Sequence, residues 1–97
     1  MCGIAGLWQP RCDSAEALEA IAGAMARAIR HRGPDDSGLW SDPASGFAVA
    51  HQRLAVVDLS PAGHQPMKSA TGRYVIVFNG EIYNHRALRL QLEGASL

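Results

Sequence analysis

The segment from Phe47 to Val57 is the feature that most limits how this chain can fold. Its composition favours an extended strand, in which alternate side chains point to opposite faces of a sheet. One face carries Val49, His51, Arg53 and Ala55, and the other carries Ala48, Ala50, Gln52 and Leu54. Both sets are largely apolar, so the segment predicts a strand with structure covering both of its faces.

Two further segments are predicted as strands. Residues Cys2 to Trp8 are small and apolar, and residues Tyr74 to Phe78 are all β-branched or aromatic. Leu39-Trp40 is a candidate start for another strand. The runs from His31 to Gly38 and from Asp58 to Met67 are rich in turn-forming residues and predict loops.

Two segments have helical periodicity. From about residue 14 to residue 30, apolar side chains recur every three or four positions, which predicts an amphipathic helix. Asp13 and Glu16 have the spacing of a capping box at its start. A second helix is predicted after Asn84, which can cap it, and Gly94 can end it. The predicted order is therefore β, α, several strands, then α.

Composition excludes several classes of protein. The 97 residues allow one small domain, and nine Lys and Arg balance nine Asp and Glu. Binding to nucleic-acid phosphates needs a basic excess or stripe, so we expect no nucleic-acid partner. Apolar runs fall well short of the ~18 residues that indicate a membrane span, and no signal-peptide pattern precedes the first strand. We therefore expect a cytoplasmic protein without membrane contact.

The cysteines and histidines lack metal-site spacing. Cys2 and Cys12 form no C-x-x-C pair, and the four histidines have no ligand spacing relative to them or to each other. We therefore expect no metal site. Counting alone allows a Cys2–Cys12 disulfide, but small secreted scaffolds usually carry four or more cysteines.

Cys2 is the most specific candidate for a catalytic residue in the sequence. Removal of Met1 is expected before so small a side chain, and it would leave a thiol and a free α-amino group on one residue. Both groups titrate near neutral pH, so the amine can take the thiol proton and generate the reactive thiolate. The alternative is a small apolar residue at the start of a strand.

Asn79-Gly80 also allows two interpretations. After a strand, this dipeptide is a strong signal for a β-hairpin. The residues that follow do not alternate as a strand would, which favours a second interpretation. The Asn79 side-chain amide and the Gly80 backbone N–H would form an oxyanion hole, since glycine lets the backbone approach a ligand closely.

Arg53 and Glu81 are candidates for binding charged groups of a ligand. Arg53 lies among apolar residues and needs a partner, because an unpaired buried charge is costly. A ligand carboxylate would match its planar guanidinium, and an internal salt bridge to Asp36 or Asp58 would serve equally well. Glu81 could accept from a ligand ammonium group or simply lie near a helix N-terminus. The turn from Arg32 to Asp35 predicts only a self-bonded loop.

Five motifs occur in order along the chain. They are Met1-Cys2-Gly3-Ile4-Ala5-Gly6, the run from His31 to Gly38, the run from Gln52 to Ser60, Gly63-His64-Gln65-Pro66-Met67, and the run from Phe78 to Asn84. Together they resemble the N-terminal end of the class II glutamine amidotransferases, whose nucleophile is the N-terminal residue. Within that superfamily the chain is most similar to the asparagine synthetase (glutamine-hydrolysing) family. The likeness covers nearly the whole chain.

The resemblance implies a role for each candidate residue. Cys2 would attack the side-chain amide of glutamine and form a γ-glutamyl thioester, and its own α-amine would relay the proton to departing ammonia. Asn79 and Gly80 would hold the oxyanion. Arg53 would bind the α-carboxylate of glutamine, and Glu81 would help to hold the α-amino group. The same pocket would be lined by the backbone of Leu54, Ala55, Val56 and Val57.

The resemblance also implies a fold and partners. The fold would be α+β, a four-layer αββα sandwich of the N-terminal-nucleophile (Ntn) hydrolase type, incomplete in this chain. Residues 1–97 would form the N-terminal part of the amidotransferase domain. The substrate would be L-glutamine, and the ammonia would go to aspartate activated by a synthetase domain with ATP and Mg²⁺. That domain would lie in cis or on a partner chain, and full-length relatives are expected to be homodimers.

The sequence leaves two alternatives open. The synthetase part could amidate a carboxylate other than aspartate. The chain could instead be an inactive truncated remnant, and it would then expose strand edges and apolar faces. No phosphate loop of an ATP pyrophosphatase occurs in the sequence, so we expect no cofactor and no asparagine synthesis in residues 1–97 alone.

Overall fold

The computed structural model of the chain describes residues 2–11, 14–55 and 60–95. Its elements in chain order are β1 (Gly3–Trp8), α1 (Ala15–Ala28), β2 (Asp36–Asp42), β3 (Phe47–Arg53), β4 (Met67–Lys68), β5 (Val75–Ile76) and α2 (His85–Gly94). Short 3₁₀ turns cover Arg30–Arg32 and Pro61–Gly63. Helices therefore occur together with antiparallel sheets, in agreement with the predicted α+β class.

The first sheet has β3 at its centre. β1 and β2 pair with opposite edges of β3, both antiparallel, in the order β1-β3-β2. Gly3 of β1 lies opposite Gln52, and Asp36 of β2 lies opposite Arg53. Six of the seven residues of β3 are buried, which requires cover on both of its faces. The predicted strand, covered on both faces, is thus confirmed.

β3 ends earlier, and β2 begins earlier, than the sequence predicts. The strand expected to reach Val57 leaves the ladder after Arg53, because the N–H groups of Leu54 and Ala55 find partners outside it. Asp36 to Gly38, predicted as loop, pair with the edge of β3. A free strand edge offers unpaired N–H and C=O groups, and these outweigh the low strand propensity of Asp and Gly.

α1 lies within one or two residues of its predicted limits. Ser14 caps its start, because the Ser14 hydroxyl accepts a hydrogen bond from the Ala17 N–H at 3.2 Å. The capping residue is therefore Ser14 and not the predicted Asp13, which lies outside the described residues. After Ala28 the chain turns into the first 3₁₀ segment.

The C-terminal elements differ from the prediction in two respects: the strand is shorter, and the helix has no side-chain cap. Of the predicted strand Tyr74–Phe78, the residues Val75–Ile76 form ladder pairs, since the partner strand β4 has two residues. The Phe78 N–H donates instead to the side-chain oxygen of Gln65 at 2.6 Å. α2 confirms the second predicted helix, although Asn84 makes no side-chain capping bond.

The core lies between α1 and the first sheet. Its central residues are Leu18 and Ala22 of α1, Ala48 of β3 and Leu7 of β1. Small side chains on both surfaces let the helix approach the sheet closely, which maximises dispersion contacts. Gln52 extends this contact, because its side-chain amide donates to the Ala26 carbonyl at 3.2 Å.

Residues between His64 and Phe78 cover the opposite face of the first sheet. A Cβ at Gly38 would overlap the Gln65 carbonyl oxygen, so the covering backbone lies directly on β2 at this point. A cavity of about 310 Å³ separates the layers further along, lined mainly by Trp40, Phe47, Val49, Val75 and Val77. The covering segment therefore leaves a gap over part of this face.

α2 has no buried residue. Leu88 and Leu92, four positions apart, form an apolar stripe along it, and they are 39% and 58% exposed. The described residues thus form a helix layer, a three-stranded sheet and a two-stranded sheet, with α2 exposed beside them. Neither described helix is long and apolar enough to cross a membrane.

Gly38→Ala should destabilise the chain, whereas Gly23→Ala should stabilise it. At Gly38 the new Cβ would overlap the Gln65 backbone, which cannot rotate away, and overpacking of this kind costs ~1–3 kcal/mol. At Gly23, within α1, the nearest atom would be the Arg27 guanidinium at 3.6 Å. Alanine is favoured over glycine inside a helix by ~0.5–1 kcal/mol. Urea unfolding measures both changes. A Gly38→Ala chain as stable as the wild type would contradict the close packing on β2.

Candidate active site

Cys2, Arg53 and Asp36 form a row across one end of the first sheet. Asp36 lies opposite Arg53, and Cys2 precedes Gly3, which lies opposite Gln52. Residues opposite each other in antiparallel strands have side chains on the same face. Gln52 faces α1 and Gly3 faces Ile29 and Arg32 just beyond it, so Cys2 and Arg53 face away from the helix. The register of β3 thus brings the predicted nucleophile and the predicted carboxylate-binding residue together.

The Cys2 thiol contacts the backbone just beyond β3. Its sulfur accepts a hydrogen bond from the Leu54 N–H, with an N···S distance of 3.3 Å, and lies 3.8 Å from the Leu54 carbonyl oxygen. The residue is half-buried and its thiol is free. A backbone N–H is thus directed at the reactive atom of the predicted nucleophile. Cys12, with which the sequence allows a disulfide, lies outside the described residues.

Asn79 lies next to Cys2, although 77 positions separate the two in the sequence. Its side-chain amide donates to the Cys2 backbone carbonyl, with an N···O distance of 3.0 Å. A primary amide carries two N–H donors, and this bond uses one of them. Asn79-Gly80 is followed by α2 rather than by a returning strand, so the hairpin interpretation is wrong.

The Arg53 guanidinium lies in a polar cavity beside the row. The residue is 9% exposed, and its Nη1 donates to the Ser60 carbonyl at 2.7 Å. Gly63 lies against the guanidinium, where any side chain would collide with it. The cavity has a volume of about 290 Å³ and is lined by Asp35, Asp36, Arg53, Pro61 and His64. A carboxylate that enters it would meet a guanidinium already fixed in orientation.

The partner of the Asp36 carboxylate is His64. The two side chains lie 2.6 Å apart, from Oδ2 to Nδ1. The hydrogen bond with His64 lowers the pKa of Asp36 against the opposing effect of burial, and the Ser37 N–H and the charge of Arg53 lower it further. Asp36 is therefore bonded to His64 and not, as one alternative predicted, to Arg53. Asp58, the other predicted partner, lies outside the described residues.

The other predicted site residues differ in where they lie: some continue from β3, some are exposed, and some lie outside the described residues. Leu54 and Ala55 continue from β3, and Leu54 touches the Cys2 sulfur. Gly80 is exposed. Glu81 is also exposed and makes no hydrogen bond or ion pair with the described residues. The pocket residues outside the described part of the chain are Val56 and Val57.

The turn from Arg32 to Asp35 is not self-bonded, contrary to the sequence-based expectation. The Asp35 carboxylate accepts a hydrogen bond from the Ala55 N–H at 2.9 Å, and the Asp35 N–H donates to the Arg53 carbonyl at 2.9 Å. Sequence reasoning missed this contact. The one available signal is Gly33, which allows the turn to approach another backbone segment.

His51 is a buried neighbour of the site that the sequence treats only as a packing residue. It is 1% exposed, and neither ring nitrogen has a hydrogen-bond partner among the described residues. Burial lowers the pKa of His51, and the Phe78 backbone and the charge of Asp36 oppose this only in part. The ring is therefore neutral at pH 7. Its place in the alternation of β3 is the signal that locates it beside Arg53.

The site combines three groups. Cys2 is a candidate nucleophile, Asn79 offers an amide donor, and Arg53 offers a cation that can bind a carboxylate. In residues 2–11, 14–55 and 60–95, no group of three or more His, Cys, Asp or Glu side chains is placed to hold a metal ion. Side chains of the types of Cys2, Asn79 and Arg53 can supply a nucleophile and hydrogen bonds that stabilise a developing charge.

His51 should make the chain less stable as the pH falls below 6.5, the ordinary pKa of histidine. The folded state binds this proton less readily than the unfolded chain. The contribution to stability is therefore complete above pH 6.5 and is lost as the pH falls toward the lowered folded pKa. His51→Leu, which buries no unpaired ring nitrogen, should flatten this part of the curve.

Urea unfolding at several pH values between about 5 and 7.5 measures the effect of His51. His31→Leu, at an exposed histidine, is the matched control and should keep the wild-type dependence on pH. An unchanged slope in His51→Leu would show that His51 is not the group that titrates.

Comparison with known proteins gives one consistent result. The model of a family described as "glutamine amidotransferase domain" matches residues 1–97. Asparagine synthetase B (glutamine-hydrolyzing) of Escherichia coli K12 is 42% identical over 91 residues, which are 94% of this chain and 16% of that protein. Asparagine synthetase (glutamine-hydrolyzing) 1 of Arabidopsis thaliana is 42% identical over 93 residues, covering 96% of this chain and 15% of that protein.

The protein of the same name from Bacillus subtilis strain 168 is 40% identical over 95 residues, covering 96% of this chain and 14% of that protein. The chain thus spans about 15% of the length of these curated relatives. No solved structure matches the chain significantly.

Proposed function

This chain belongs to the glutamine amidotransferase domain family, and we propose on that premise that it hydrolyses glutamine through Cys2. The observation that carries the proposal is the contact of Cys2 with both the Leu54 N–H and the Asn79 amide. A nucleophile, a donor to its sulfur and a candidate oxyanion donor meet from three distant parts of the sequence. That combination is what acyl transfer from an amide requires.

The proposed reaction uses the Cys2 thiol and its own α-amine after removal of Met1. The amine takes the thiol proton, and the thiolate attacks the side-chain carbonyl carbon of glutamine. The tetrahedral intermediate collapses to a γ-glutamyl thioester as the amine passes its proton to departing ammonia. Water then cleaves the thioester to glutamate and restores the thiol. Asn79 and the Gly80 N–H stabilise the oxyanion in both steps.

Arg53 is proposed to bind the α-carboxylate of glutamine. Support comes from its burial, its fixed guanidinium and the cavity of about 290 Å³ that it lines. A planar guanidinium matches a carboxylate with two parallel hydrogen bonds. We assign Glu81 to the α-amino group. The remaining wall of the pocket is assigned to the backbone of Leu54, Ala55, Val56 and Val57.

We further propose that this site belongs to a four-layer αββα sandwich of the Ntn-hydrolase type, with residues 1–97 as the N-terminal part of the amidotransferase domain. The exposed leucines of α2 and the two-stranded second sheet support this, because both leave apolar surface that additional layers would cover. The second sheet would gain strands, and α2 would gain a buried face.

The names of the relatives favour asparagine as the final product. We propose that the ammonia passes to aspartate activated with ATP and Mg²⁺ in a synthetase part, in cis or on a partner chain, and that the assembly is a homodimer. ATP and Mg²⁺ are assigned to that part and not to the residues of this chain. An acceptor carboxylate other than aspartate is the alternative, and the names favour it less.

A glutamine analogue with a chloroketone in place of the side-chain amide should alkylate Cys2. The thiolate displaces chloride and forms a thioether, so the product gains the mass of the analogue less HCl. Peptide mass spectrometry of the labelled chain locates the adduct, and excess glutamine should protect against it. Cys2→Ser should abolish labelling, and Cys12→Ser should leave it intact. An adduct on Cys12, or labelling that glutamine does not slow, would refute the proposed site.

Asn79→Ala should lower kcat for glutamine hydrolysis with little change in KM. Loss of one oxyanion donor costs ~10²–10³ in kcat, because the bond strengthens only as charge develops in the transition state. Release of glutamate, followed at several glutamine concentrations, separates the two constants. A raised KM with an unchanged kcat would instead assign Asn79 to binding of the ground-state substrate.

A further inference from the structure

We infer that Asp35 is a positioning residue for the Cys2 nucleophile. It bonds to the residues on both sides of Leu54 and thereby holds the Leu54 N–H against the Cys2 sulfur. The inference rests on the proposed function only in naming Cys2 as the nucleophile, because the geometry concerns the thiol itself.

The three hydrogen bonds that define this arrangement lie within three consecutive residues. The Asp35 N–H donates to the Arg53 carbonyl at 2.9 Å, and the Asp35 carboxylate oxygen Oδ2 accepts from the Ala55 N–H at 2.9 Å. Leu54 lies between these two anchors and donates its N–H to the Cys2 sulfur at 3.3 Å. We call the two Asp35 bonds the Asp35 clamp.

The Asp35 clamp restrains the backbone just beyond β3, where the sheet makes no further hydrogen bonds. β3 ends at Arg53, so the N–H groups of Leu54 and Ala55 are outside the ladder and are not oriented by a neighbouring strand. A backbone segment without ladder bonds is free to move unless other groups bind it. Asp35 supplies that restraint from the turn that precedes β2.

Gly33 explains how the turn comes close enough. A Cβ at Gly33 would overlap the Gln52 carbonyl oxygen, so this glycine packs directly on the backbone of β3. The short side chain of Asp35 can then reach Ala55. Asp36 does not duplicate the clamp, because its carboxylate is bonded to the Ser37 N–H and to His64.

Two effects of Asp35 on the thiol have opposite signs, and this makes the inference testable. An N–H held at the sulfur stabilises the thiolate through a hydrogen bond. The negative charge of a nearby carboxylate disfavours the thiolate. Asp35→Asn removes the charge and keeps an oxygen acceptor for Ala55, whereas Asp35→Ala removes both. If the clamp dominates, only Asp35→Ala should slow the reactions of Cys2.

The test measures alkylation of Cys2 by iodoacetamide as a function of pH, in the full chain carrying Cys12→Ser. Asp35→Ala should react about 3- to 10-fold more slowly than the parent at pH 7, with its rate profile moved to higher pH. Asp35→Asn should stay within about twofold of the parent or react faster. Asp42→Ala removes an aspartate that bonds to Ser45 at the other end of β2, and it should match the parent.

Several outcomes would overturn the inference. An unchanged rate in Asp35→Ala would show that Asp35 does not position the Leu54 N–H, and a faster rate would show that its carboxylate acts on the thiol only through its charge. Equal losses in Asp35→Ala and Asp35→Asn, or an equal loss in Asp42→Ala, would show that the acceptor at Ala55 is not the cause. A merely structural role would lower stability without moving the pH profile of alkylation.

A measurement on the unsubstituted chain keeps the test decisive if Asp35→Ala does not fold. The Ala55 amide lies outside the ladder, so its protection from hydrogen exchange reports the Asp35 bond. Amide exchange followed by NMR should show Ala55 protected at least about tenfold relative to an unstructured peptide. Exchange of Ala55 at the unstructured rate would overturn the clamp.

Iodoacetamide requires no glutamine site, so the two proposals fail separately. If the chloroketone does not label Cys2 while the Asp35 variants behave as expected, the glutaminase assignment fails and the clamp stands. If the chloroketone labels Cys2 while Asp35→Ala leaves alkylation unchanged, the clamp fails and the glutaminase assignment stands.

Discussion

Pairing of β3 along both of its edges is the interaction on which the rest of the structure depends. β1 and β2 both hydrogen-bond to it, α1 covers one face and the segment between His64 and Phe78 covers the other. A strand in this position fixes the register of its neighbours, because a slip by one residue would turn every side chain to the wrong face. The position of Cys2 opposite Arg53 is a direct consequence of that register.

The two faces of β3 differ in the side chains that they carry, and the candidate site lies on the face away from α1. Toward α1 the side chains are small and apolar, and the helix lies close to the sheet. Toward the second sheet the same strand presents His51 and Arg53, with a cavity of about 290 Å³ beside the guanidinium. The apolar contact with α1 thus supports a polar surface on the other side, where the cavity beside Arg53 can admit a small charged ligand.

The end of β3 supplies the backbone donor that contacts the candidate nucleophile. Ladder bonds stop at Arg53, and the next backbone donors are free to serve other groups. The Leu54 N–H donates to the Cys2 sulfur, and the Ala55 N–H donates to the Asp35 carboxylate. Because Asp35 bonds to the residues on both sides of Leu54, this donor has little freedom to reorganise, which is what electrostatic stabilisation of a nucleophile requires. The buried His51 lies beside it, without a hydrogen-bond partner among the described residues.

The sequence by itself determined the elements that depend on local pattern and the chemistry that depends on residue type. Periodicity placed α1, alternation and apolar content placed β3, and the ordered motifs predicted Cys2, Arg53 and Asn79 as site residues. Only the tertiary structure decided which groups meet: Asp36 with His64, Asp35 with Ala55, and Asn79 with the Cys2 carbonyl. The physical reason is that propensity acts between near neighbours in sequence. The partner of a hydrogen bond is chosen instead by which donors and acceptors the sheet brings together from distant parts of the chain.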